Sequence, residues 1–164
     1  MNYVLIGKLC GSHGLKGEIK LDTDFQYLDR VLQEGANLYI GDNKTNVTLL
    51  KYRHHNKYEL LTFNDYEDIN LIERFKNNNI YVLRDDLNLN EDEFVFEDYI
   101  GLEAYFNNEK IGIINDIIDY GMNNYVFVIG EKEVLIPVKQ EFIDKVILND
   151  KVILKEVGDL IDAN

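Results

Sequence analysis

The stretch LCGSHGLKGEIKL, Leu9 to Leu21, decides how the rest of the chain is read. It places Gly11, Gly14 and Gly17 at a regular interval, with His13 inside and Lys16 and Lys20 following. Three readings compete: a phosphate cradle, a catalytic loop, or a tight corner between two strands. A Walker loop requires G-x-x-x-x-G-K-[ST] between a strand and a helix, and here no Ser or Thr follows Lys16. The dinucleotide pattern G-x-G-x-x-G is also missing. Gly11-Ser12-His13-Gly14 has the G-x-x-G form of a KH loop, which clamps nucleic-acid backbone, but the run after it, EIKLDT, alternates like a strand and not like a helix. Cys10 and His13 have no acid partner fixed by spacing, which leaves a nucleophile–base pair weakly supported. Glycine permits positive φ and close backbone approach. With Gly7 as a fourth glycine, the stretch fits the corner of a small barrel.

Working outward, the composition is that of a folded protein. Of 164 residues, 46% are hydrophobic, with 11 Tyr and 8 Phe, so the chain lacks the signature of disorder. No apolar run approaches the roughly 18 residues of a membrane span. The opening MNYVLIGKLCGSHG has neither a basic n-region nor a long apolar h-region, so it is expected to be mature sequence. Cys10 is the single cysteine, which rules out an internal disulfide and a cysteine-based zinc site. A cytoplasmic location is expected.

Charge divides the chain. Residues 1–90 carry 11 Lys+Arg and 13 Asp+Glu, whereas residues 91–164 carry 6 and 17. The acidic second part is repelled by nucleic-acid phosphates and attracts basic proteins. Solubility alone is the competing explanation.

The composition shifts at RDDLNLNEDE, Arg84 to Glu93, which reads as a connection between modules. The expected organisation is a first module over 1–84, a linker over 85–93 and a second module over 94–164. In the first, ANLYIGD meets NKTNVTLLKYRHH across Gly41-Asp42-Asn43 as a hairpin, and KYELLTF and IYVLR are further strands. NDYEDINLIERFKN is expected to be its helix, with Asn64 as N-cap, Glu67 completing a capping box, and Ile69, Ile72 and Phe75 on one face. A short helix is also expected in TDFQYLDRVLQEG. The second module reads as all β: a turn at Asn107-Asn108, a two-residue turn at Asn149-Asp150, and Pro137 marking an edge or bulge. Short, evenly spaced strands predict small barrels. The expected class is mainly β, two small barrels joined by a short linker, with one helix in the first.

Other constellations are weaker. His54 and His55 are adjacent, so on a strand they point to opposite faces and cannot readily share a metal. Lys8, Lys16, Lys20, Arg30, Lys51, Arg53 and Lys57 could line one basic face of the first module. The acids Asp85-Asp86, Glu91-Asp92-Glu93 and Glu97-Asp98 read as solvated charge more readily than as an acid–base pair. Phe94 and Phe96, interleaved with those acids, are either interface anchors or core.

Together these residues resemble a known family. IGKLCGSHGLKGEIKLDT resembles the N-terminal signature of the ribosome maturation factor RimM family, and the later chain resembles that family's PRC-barrel domain at Asp98-x-Ile100-Gly101, Ile111 to Ile114, Asp116, Tyr120-Gly121 and Leu135 to Pro137. The resemblance implies a translation-factor-like barrel followed by a PRC barrel. It implies a non-enzymatic assembly factor for the small (30S) ribosomal subunit, a monomer without catalytic residue, cofactor, metal or membrane contact. It also implies binding of the nineteenth small-subunit ribosomal protein, a basic partner, and a role in maturing the subunit head and its ribosomal RNA. The family's aromatic pair before D-x-I-G falls on Phe94 and Val95, followed by Phe96, so the partner site implied is Phe94, Phe96, Asp98 and Tyr99. The end departs from the family at Val146-Ile147 and Gly158-Asp159-Leu160-Ile161. Two alternatives stay open: direct binding of ribosomal RNA by the first module through Gly11, His13, Gly14, Lys16, Gly17 and Lys20, and an enzyme built around Cys10 and His13.

Overall fold

The computed structural model describes residues 1–163, which form two compact units, one over Met1–Asn88 and a second beginning at Leu89. The first is a closed barrel. Its strands are β1 (Tyr3–His13), β2 (Glu18–Asp22), β3 (Asn37–Ile40), β4 (Thr45–His55), β5 (Tyr58–Phe63) and β6 (Asn79–Leu83). They pair in the order β1-β2-β5-β4-β3-β6, and β6 returns to β1 antiparallel. The inward set is aliphatic with one aromatic: Val4, Ile6, Leu9, Ile19, Leu21, Leu38, Ile40, Val47, Leu49, Leu61, Phe63, Ile80 and Val82 are all buried. Inward residues recur every second position, but β1 goes from Val4 and Ile6 to Leu9. Register shifts at Leu5/Gly7 and Leu9/Ser12 supply the extra residues, bulges of the kind that bend a strand around a barrel. At Gly7 a Cβ would collide with the Asp22 carbonyl oxygen.

The glycine corner is built differently from the expectation. Strand β1 continues through Gly11 to His13, so Gly11 lies within the bulged strand, has ordinary φ and faces open space. Gly14 (φ 73°) and Gly17 (φ 86°) make the turn. Only Gly17 is also tightly packed, with the Tyr66 carbonyl oxygen where a side chain would begin.

That contact explains why the expected helix over 64–77 is much shorter. The chain from Tyr66 to Ile69 lies against the glycine corner: the Ile69 amide donates to the Leu15 carbonyl (3.1 Å), and just before it Asp65 has φ 71°. Helix α2 therefore spans only Ile69–Ile72 and runs into a 3₁₀ turn, Glu73–Phe75. Its N-cap is Asp68, whose carboxylate accepts from the Asn70 amide at 2.7 Å, and not Asn64. The apolar face is as expected, with Ile72 and Phe75 buried, and Asn77 (φ 67°) ends it. Its amide donates to the Leu9 carbonyl and the Leu9 amide to the Asn78 carbonyl, both at 2.8 Å, which returns the chain to β1. Helix α1, Leu28–Val31, is the short helix expected after β2. A 3₁₀ turn, Arg84–Leu87, buries Leu87 completely.

The second unit is a six-stranded curved sheet: β7 (Glu103–Phe106), β8 (Glu109–Asp119), β9 (Tyr125–Ile129), β10 (Val134–Pro137), β11 (Ile143–Ile147) and β12 (Lys151–Leu154). The order is β10-β9-β8-β7-β12-β11, with β7 and β12 parallel. Among the described residues β10 and β11 do not pair, so this half-barrel keeps two edges where the first unit has none. Pro137 lies on the edge strand β10, where its missing N–H costs no ladder bond. The β7–β8 turn is Asn107-Asn108, both with positive φ (51° and 65°), as a type I′ turn requires. The β11–β12 connection has three residues, Leu148 to Asp150, because Ile147 pairs with Lys151. Asn149 takes the left-handed position at φ 62°. Two short helices, α3 (Phe96–Tyr99) and α4 (Gly158–Asp162), flank a core of Tyr99, Leu102, Ala104, Ile114, Phe127, Ile129, Val134, Ile136, Val152, Leu154 and Val157.

Candidate functional site

In the second unit the residues around α3 divide by role. Tyr99 is buried, its ring edge-on to Phe127 with centroids 5.1 Å apart. Phe94 packs partly buried on the same core, 6.1 Å from the Tyr99 ring. Val95 is buried, so the second position of the expected aromatic pair holds a core aliphatic. Asp98 accepts from the Val95 amide at 3.0 Å and so fixes the start of α3. Phe96 alone of the four named residues turns outward. It is 37% exposed and packs on the Tyr125 ring at 4.6 Å. The sequence reading missed Tyr125, although its place in YVFVI, alternating with buried Phe127 and Ile129, marks it as a residue at the start of β9 with its own neighbours to meet.

Strand β9 follows the β8–β9 hairpin, whose tip holds Tyr120, 61% exposed, and Met122, 95% exposed. The tip is ordered by its own bonds: the Asp119 carboxylate accepts from the Gly121 amide (2.7 Å), and the Tyr120 amide donates to the Asn124 carbonyl (2.9 Å). Phe96, Tyr120 and Met122 are exposed, and the exposed acids Glu91, Asp92, Glu97 and Asp119 flank them in sequence. That is the composition of a protein interface centre surrounded by charge.

In the first unit, His13 ends β1 opposite Glu18, and Lys16 lies exposed on the turn. Cys10 is partly buried and is a free thiol, its sulfur 3.9 Å from the Lys8 carbonyl oxygen. The Ser12 hydroxyl donates to the Glu73 carboxylate, tying β1 to the turn after α2. Glu18 accepts two bonds from Arg53 (2.8 and 3.0 Å), and this holds its carboxyl below the ordinary value against the opposing effect of burial, with Arg53, His13 and Lys51 adding further attraction. His54 faces Glu59 at 2.8 Å, while His55 meets His13. The adjacent pair thus points to different partners, as strand geometry demands. No group of three or more His, Cys, Asp or Glu among the described residues is placed to hold a metal. No helix among them is long and apolar enough to cross a membrane.

Both halves match family models: residues 4–87 match the RimM N-terminal domain, and residues 96–157 match the RimM PRC barrel domain. A protein from an Exiguobacterium species, named ribosome maturation factor RimM, is 31% identical over 99% of this chain and 98% of its own. One of the same name from Finegoldia magna is 35% identical over 93% of this chain and 95% of its own. A solution structure of the N-terminal domain of RimM from Thermus thermophilus is 16% identical with a TM-score of 0.46, covering 53% of this chain and 95% of that one.

Proposed function

This chain belongs to the RimM family, and from that premise we propose that it is a non-enzymatic assembly factor for the small (30S) ribosomal subunit. It works in the cytoplasm as a monomer. Its partner is the nineteenth small-subunit ribosomal protein, a basic protein that it holds during maturation of the subunit head and processing of the ribosomal RNA. The observation that carries this reading is the second unit itself, which has 6 Lys+Arg against 17 Asp+Glu and a tilted ring pair of exposed Phe96 on half-buried Tyr125. Long-range attraction to the anionic unit speeds the encounter, and the aromatic stack gives the encounter a desolvated centre. Within the proposed site Phe96 makes contact, Phe94 and Tyr99 brace it from the core, and Asp98 fixes the helix start.

The test is sedimentation of the tagged chain with ribosomal particles. It should travel with immature small subunits and be missing from complete ribosomes. The Phe96→Ala/Tyr125→Ala double variant should fold and leave the immature particle. Equal occupancy of complete ribosomes, or full retention of the double variant, would overturn the reading.

A further inference from the structure

The sequence reading placed RNA contact on the glycine turn, at Lys16 and Lys20. The barrel register keeps Lys20 and His13 from that stretch and joins them to Lys51, Arg53 and Lys57 of the basic residues named above, leaving Lys16 out. On β4, Arg53 pairs with Leu60 and His55 with Tyr58, and on the other side of β5, Lys20 pairs with Leu60. Directly paired residues share a face, as do residues two apart on a strand. One outer face therefore carries Lys51, Arg53 and His55 from β4, Tyr58 from β5, and Glu18 and Lys20 from β2. Leu60 and Thr62 form its buried floor. His13 joins from the end of β1, its ring 4.8 Å from that of His55. Lys57, from the β4–β5 turn, reaches back over the Tyr58 ring at 5.3 Å, and Lys20 lies over the same ring at 5.6 Å.

Two features distinguish this face from a scatter of surface lysines. The outward positions hold four permanent cations, Lys20, Lys51, Arg53 and Lys57, and two carboxylates, Glu18 and Asp22, in a unit that carries slightly more acid than base overall. Arg53 satisfies Glu18, while Lys20 and Lys57 are held by an aromatic ring. A ring positions an ammonium without cancelling its charge, whereas a carboxylate partner cancels it. Among the described residues neither lysine forms an ion pair. Beside them the tilted His13–His55 pair offers ring N–H groups and planar faces, the equipment that proteins use on unstacked bases and phosphates.

We propose that this face, centred on Tyr58, Lys20 and Lys57 with His13 and His55, binds the phosphate backbone of single-stranded ribosomal RNA. It rests on the assembly-factor reading above and assigns the RNA contact to the outer face of β2, β5 and β4 with the end of β1, not to the turn at Lys16. The second unit, with its excess of acid, would not compete for the same ligand.

The probe is a fluorescent oligouridylate of about 20 nucleotides titrated with the full chain over a range of salt. With about 0.7 of slope per phosphate neutralised on a single strand, the three cations without a carboxylate partner, Lys20, Lys51 and Lys57, predict a log–log salt slope of roughly -2. Lys20→Gln/Lys57→Gln should weaken binding several-fold and flatten the slope by about 1.4. Lys20→Arg/Lys57→Arg should restore it, and Lys16→Gln or the second-unit variant Lys132→Gln/Lys139→Gln should change neither. No binding at low salt, an unaffected Lys20→Gln/Lys57→Gln variant, or equal binding of polyglutamate would each overturn the proposal, the last by making the face a site for acidic protein. Capture of the ribosomal protein separates the two readings. If Lys20→Gln/Lys57→Gln and the parent bind RNA alike while the protein is captured, the present inference fails alone. If RNA binds as stated and no ribosomal protein is captured, the partner reading fails alone.

Discussion

The two units are made of similar strands and solve opposite problems. The first closes its sheet, has no edge to protect and is close to neutral, so its charges are free to cluster on one face. The second leaves β10 and β11 as edges and guards them with Pro137 and with Asp144 and Lys145. It carries nearly all the chain's net charge and exposes Phe96, Tyr120 and Met122 against that acid. Under the two proposals, closure and local charge go with a surface for a polyanion; an open sheet, acid and exposed aromatics go with a surface for a basic protein.

The largest expected effects test whether each unit has its own core. Phe63 and Phe127 are the large, fully buried aromatics of the first and second units. Replacing either with alanine should cost about 3–5 kcal/mol in chemical denaturation. A loss below about 1 kcal/mol at either site would contradict the packing described.

The glycine corner gives a sharper contrast. Gly14 and Gly17 both have positive φ, but only Gly17 also meets backbone. Gly14→Ala should cost about 1 kcal/mol, from conformation alone. Gly17→Ala must also push Tyr66 and the start of α2 away, and should cost at least twice as much. Equal losses would show that the corner is merely a turn.

A smaller effect is expected at the barrel seam, where the Lys44 ammonium lies over the Tyr81 ring at 4.2 Å and the Tyr3 ring at 5.4 Å. Lys44→Met should cost about 0.5–1 kcal/mol, read as a lowered Tm. The smallest is the Glu18–Arg53 pair. Arg53 holds the folded carboxyl below the ordinary value of 4.5. The stabilisation is therefore present above that value and is lost as pH falls through the lower, folded pKa. Parent and Arg53→Met should differ in Tm at pH 7 and converge as the pH falls through the lowered, folded pKa of Glu18. A gap that widened in acid would reverse the assignment.

Much of this was legible in the chain. Alternation located the strands, Asn107-Asn108 and Pro137 punctuated the sheet correctly, and the apolar face Ile72/Phe75 was visible before any coordinates. The helix boundary was not: of the residues that looked like a capping box, Glu67 packs with Tyr66 and Asp68 on Gly17 some fifty positions away, and the Asn64 amide donates to the Thr48 carbonyl. Gly11 looked equal to Gly14 and Gly17, though bulged strand needs nothing special of it. At the candidate sites the same limit applies. Phe94 and Tyr99 read like Phe96 in sequence, and only packing separates two core rings from one outward ring. His13 and His55 belong to strands separated by β2 and β5 in the barrel order, so no spacing rule could bring them together.

The central claim, that the acidic second unit holds a basic ribosomal protein through Phe96 and Tyr125, is tested most directly by calorimetric titration of the full chain with the purified nineteenth small-subunit ribosomal protein. The account predicts one-to-one binding that weakens with salt, and at least a tenfold loss, about 1.4 kcal/mol, for Phe96→Ala/Tyr125→Ala at unchanged Tm. No heat of binding at low salt, or equal affinity for the parent and the double variant, would contradict it.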